Sequence, residues 1–147
     1  MTSDWTPEDT TTHQDHVIAH VIGASVLGYF IFDEGLYILL DIGFVWTIFL
    51  GGEMGLLPHP VAISELDIDE PARQQIKADV DVLLSGSDAS QELLKMRLPP
   101  AETRIEGVSF FAQGDRRRLL IAGEEANLAI ETSLATAEIK FYDVRKE

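Results

Sequence analysis

The chain has 147 residues, enough for one domain with a core that needs no covalent staples. It contains no cysteine, which excludes disulfides, thiolate catalysis, iron–sulfur clusters and thiolate zinc sites, and makes the cytoplasm the expected address. The formal net charge of −14 is lopsided: residues 1–72 hold twelve Asp or Glu and no Lys or Arg, and all eleven basic residues lie from Arg73 onward. Such a surface repels phosphate backbones, so the expected partner is not nucleic acid but a basic protein, a cation or the chain's own basic half.

The first eleven residues read as a frayed polar lead-in, acidic where a secretion signal carries a basic segment, and the ordered domain is expected over 12–147. The pattern from Thr12 to about Ala24 predicts a helix capped by Thr12, with Asp15 as capping-box partner, although its β-branched residues also admit a strand. Val17, Ile18, Val21 and Ile22 fall on one arc of that helix, and His13, His16 and His20 on another. A membrane span is not expected. The apolar run that begins at Val17 is broken by Asp33, Glu34, Asp41 and Glu53 before it reaches the roughly 18–20 residues a crossing requires.

Next comes a three-stranded meander, SVLGYFIFD, LYILLDI and FVWTIFL, with turns at EG and Gly43 and a stop at GGEMG. Its strands are apolar on both faces: Leu36, Ile38, Leu40 and Ile42 line one side of the middle strand, and Tyr37 and Leu39 the other. Both faces need cover. The connector LLPHPVAISELDIDEP, with Pro58, Pro60 and Pro71, argues against long regular structure. A helix follows from about Asp69 to Ser85, with Ala72, Ile76, Val80, Leu83 and Leu84 as its buried stripe, and a short second helix is expected from Ala89 to Arg97. A second meander of four strands, at 103–112, 116–122, 126–133 and 137–143, alternates cleanly between apolar and polar positions. The two meander halves, about 12–60 and 100–143, share Gly, Phe and paired Leu at similar offsets, which fits a distant duplication. The expected fold is therefore α+β: antiparallel meanders of three and four strands with an N-terminal helix and a central helix or helix pair packed on them.

Few residues carry a chemical signature. His13, His16 and His20 have a spacing that can aim imidazoles at a divalent transition metal, with an open position for water, and so allow a metal-dependent enzyme. The competing reading is the solvated face of a surface helix, and the sequence lacks the zincin pair of histidines around Glu-x-x. Asp41, inside an apolar run, is a candidate perturbed acid or an edge-strand charge. Asp67, Asp69 and Glu70 fit a helix start better than a calcium loop, and Ser85 to Asp88 fits a helix end. Arg116, Arg117 and Arg118 alternate sides along a strand, so pairing with the acidic half is expected rather than one anion clamp. The expected function is a non-enzymatic binding or assembly module, acting as a homodimer or on a basic protein partner, with no resident cofactor. The alternatives are the metal-dependent enzyme and a carrier of a small apolar ligand between the sheets, lined by Phe30, Phe32, Tyr37, Phe44 and Trp46.

Overall fold

A computed structural model describes residues 5–86 and 93–144. The chain runs β1 (Thr6–Glu8), α1 (Thr12–Val21), β2 (Val26–Phe32), β3 (Gly35–Leu40), β4 (Phe44–Phe49), β5 (Met54–Pro58), α2 (His59–Ser64), α3 (Glu70–Leu84), then β6 (Ile105–Gln113), β7 (Arg116–Gly123), β8 (Asn127–Ser133) and β9 (Ile139–Val144). The strands form two antiparallel sheets, four-stranded β2-β3-β4-β5 and five-stranded β1-β6-β7-β8-β9. The fold is α+β, as the alternation of strands and helical stretches predicts. No helix among the described residues is long and apolar enough to cross a membrane.

The layer order follows from the two apolar faces of the first meander. Leu36, Ile38, Leu40, Trp46 and Ile48 pack against Leu119, Ile121, Leu128 and Ile130 of the five-stranded sheet. Leu39, Val45 and Phe30 pack the opposite way, against Ala62, Ile63, Ile76, Val80 and Leu83 of α2 and α3. The four-stranded sheet is thus the middle layer, and its cover comes from within one chain. No second subunit is needed to cover this sheet. Helix α1 adds Val17 and Val21 to the core between the sheets.

Several local expectations are corrected. Residues 6–8 are not a lead-in but an edge strand, with Pro7 paired to Phe111. The helix cap is Thr11, whose side chain accepts from the Gln14 amide while the Gln14 side chain accepts from the Thr11 amide. Register therefore starts one residue early, and the helix ends at Val21; Ile22 is an extended cap and 42% exposed. The connector holds a fourth strand, β5, whose Leu56 pairs with Trp46, and α2 begins at the Pro58 to Pro60 turn. Proline there ends one element and starts another, since it is tolerated at an edge-strand end and in a first helical turn. The expected start of α3 holds: Asp69 caps it by accepting from the Ala72 amide at 2.9 Å. Both meanders open with a register shift just before a glycine, Gly28 and Gly107, at the position where their sequences align.

The helix expected at 89–97 lies partly outside the described residues. Its described end is not helical: Leu94, Lys95 and Met96 all donate backbone N–H groups to the Asp79 carboxylate, at 2.8, 2.6 and 2.7 Å. Asp79 is 1% exposed and sits on the buried stripe of α3 between Ile76 and Val80. A buried carboxylate is tolerable only with such donors. The same segment lies on β2 by exchanging backbone hydrogen bonds between Tyr29 and Arg97, at 2.9 and 2.8 Å. Gly28 allows this approach, because a Cβ there would meet Leu83 Cδ1 at 2.6 Å and the Arg97 carbonyl oxygen at 3.1 Å. Replacing Asp79 by Ala leaves three buried or half-buried N–H groups unpaired, and urea unfolding is expected to show a loss of about 3 kcal/mol.

Candidate functional site

The two groups of residues singled out from sequence are rearranged by the fold. Of the aromatic group, Trp46 is fully buried between the sheets, while Phe30 and Tyr37 stack on each other at 4.7 Å on the helical side with Phe32 beside them. These side chains do not share a cavity between the sheets; that space is filled by core residues. Phe44, the first residue of β4, belongs to neither set and lines a groove beside α1.

That ring joins the histidines. His13, His16 and His20 line, with Val17, Ile42, Phe44 and Leu56, a groove of about 340 Å³ between α1 and the β4–β5 edge. The size is at the lower end of the range for ligand pockets. The floor is apolar and the rim carries imidazoles, since α1 turns Val17 and Val21 inward and leaves the histidine arc outside. Ile42, in the turn after β3, is 48% exposed on the wall. His59 lies beside the same turn, its ring 4.0 Å from the space a Cβ on Gly43 would take. The contribution of Ile42 and Leu56 was not evident from periodicity, because it depends on where α1 docks.

The three imidazoles do different things. His13 Nε2 is hydrogen-bonded to the Met54 carbonyl oxygen at 2.9 Å. His16 and His20 meet edge to face, with ring centroids 5.0 Å apart and planes at 72°. Among the described residues no group of three or more His, Asp or Glu is arranged to hold a metal ion. Asp41 is not in a strand: it lies exposed in the turn after β3 and accepts from the Ser25 amide at 3.0 Å. A larger depression of about 720 Å³ is lined chiefly by residues 98–104, including Pro99 and Pro100, and its Glu125 is occupied by the Arg104 amide.

The arginine run separates as its alternation predicts. Arg117 reaches Glu8 of the acidic half, at 3.6 Å. Arg116 and Arg118 share the opposite face and flank the Trp5 ring, at 5.3 and 5.7 Å from its centroid. Arg116 also pairs with Glu131, which accepts from the Tyr142 hydroxyl. One row, Pro7, Phe111, Arg118, Glu131 and Lys140, crosses the five strands on this outer face, which belongs to neither core cluster. Burial raises the Glu131 pKa, but the Tyr142 and Arg116 hydrogen bonds outweigh it, and the net shift is downward. A carboxylate that is more acidic when folded stabilises the fold above the ordinary glutamate value of about 4.3, and that stability is lost as pH falls through the lowered value. In Glu131→Gln, the unfolding free energy measured across the acid limb is therefore expected to fall less steeply below about pH 4.3 than in the parent. No family model, curated protein or solved structure matches this chain.

Proposed function

We propose that the chain is a non-enzymatic binding module that docks a basic, amphipathic segment of a partner protein in the histidine groove. The observation that carries this is the groove itself: an apolar floor of Val17, Phe44 and Leu56, with exposed Ile42 at its wall. It lies in the half of the chain that holds twelve acids and no Lys or Arg. An apolar anchor side chain fills the floor, and flanking Lys or Arg meet carboxylates such as the exposed Asp15 and Asp41, chain neighbours of His16 and Ile42, which steer encounter and favour basic over acidic partners. The absence of cysteine suits a reducing compartment such as the cytoplasm. Self-association is the competing use of the groove, since the chain's basic residues lie in its second half.

A synthetic peptide alternating Leu and Lys serves as probe, with a Leu and Glu peptide of equal length as control. Calorimetry is expected to show binding of the basic peptide only, weakened by salt. Ile42→Asp and Phe44→Ala, which alter the groove, are expected to weaken it about tenfold or more, whereas Trp5→Ala on the far sheet leaves it unchanged. Equal binding of the acidic peptide, or indifference to the groove variants, overturns the proposal. A dimer in light scattering that Ile42→Asp dissociates also overturns it, in favour of a second copy.

A further inference from the structure

We propose that His16 and His20 form a two-imidazole chelate for a divalent transition metal ion of the zinc, nickel or copper kind. The inference concerns the groove's rim and does not depend on any protein partner. Residues at i and i+4 of a helix are neighbours on one face, and α1 runs unbroken from Thr12 to Val21 through both positions. Both side chains are exposed, so an ion reaches them without a rearrangement of the core.

The ring separation fits shared coordination. A metal–nitrogen bond of about 2.0–2.1 Å, with the ring centre roughly 1.2 Å behind the nitrogen, puts the centroids of two imidazoles on one tetrahedral ion about 5.2 Å apart, and nearer 4.5 Å at a right angle. The observed value is 5.0 Å. The adjustment an ion requires is to turn one nitrogen of each ring toward a common point.

The surroundings favour a cation of this class. His20 is in the last turn of α1, where the backbone carbonyls attract positive charge. Residues 1–72 contain no Lys or Arg to repel the ion. The groove beside the pair offers Ile42, Phe44 and Leu56 rather than oxygen ligands, so calcium and magnesium, which require oxygen, find nothing to hold them. His13 is engaged by the Met54 carbonyl and stays outside the chelate. With two protein ligands the remaining coordination positions go to water, and the ion exchanges readily.

The test uses the whole chain purified without a polyhistidine tag and with no peptide present. Zinc and nickel are titrated by calorimetry, and paramagnetic broadening by nickel is followed on the histidine ring protons by NMR. One ion per chain is expected, with broadening at His16 and His20. His16→Ala and His20→Ala each weaken binding about tenfold or more, His13→Ala by less than about twofold, and calcium does not bind. His16→Gln, which retains a helix-favouring side chain, separates loss of a ligand from loss of the helix and is expected to weaken binding like His16→Ala. The proposal is overturned by absence of saturable binding, by binding that survives loss of either residue, or by His13→Ala weakening it as much as His16→Ala.

Discussion

One four-stranded sheet with no wet face governs the architecture. Strands β3 and β4 carry Leu36, Ile38, Leu40, Trp46 and Ile48 on one side and Leu39 and Val45 on the other, all buried. At about 1.5–3 kcal/mol for each large side chain removed from water, leaving either side bare is too costly for a marginally stable domain. The second sheet takes one face and the helices the other. That order places the five-stranded sheet outermost, with a polar outer face of Arg116, Arg118, Glu131, Lys140 and Tyr142.

Polar groups fix how these layers meet. Asp79 stands on the helix stripe where an apolar residue is expected, and its carboxylate holds the 94–96 backbone against α3. Arg73 does similar work at the other end of α3, donating to the carbonyls of Ile63 and Leu66 at the end of α2 and just beyond it. Its guanidinium adds a second donor to the Ile63 oxygen, which the Leu66 amide also reaches, and supplies one to the Leu66 oxygen past the helix end. These two charged side chains fix irregular segments, which have no ladder of their own, onto regular ones.

The groove is a by-product of the same packing. Helix α1 seals the edge of the sandwich with Val17 and Val21, so its histidine arc must stand at the rim, facing the start of β4 and the middle of β5. A site made this way combines an element's outward face with the open end of another sheet. Its chemistry comes from α1 and its shape from Ile42, Phe44 and Leu56, which lie beyond β2 and β3 in the chain.

Local patterning was sufficient for much of this. The α+β class, the two-faced first meander, the clean second meander, the Asp69 start of α3 and the separation of Arg117 from its neighbours depend on periodicity and capping, which act over a few residues. Periodicity could not tell whether a sheet apolar on both faces is covered by its own chain or by another, because cover depends on contacts between distant segments. For the same reason β1, which exists only by pairing with β6, read as a frayed lead-in, and β5 was hidden in a proline-rich connector. Asp79 carried a signal, an acid on an apolar stripe, but its three donors lie 15 to 17 residues away. His13, His16 and His20 were legible as one face of one helix. That Phe44 belongs with them, while Trp46 two residues later is sealed in the core, was decided by the tertiary structure, since only the docking of α1 determines where the sandwich ends.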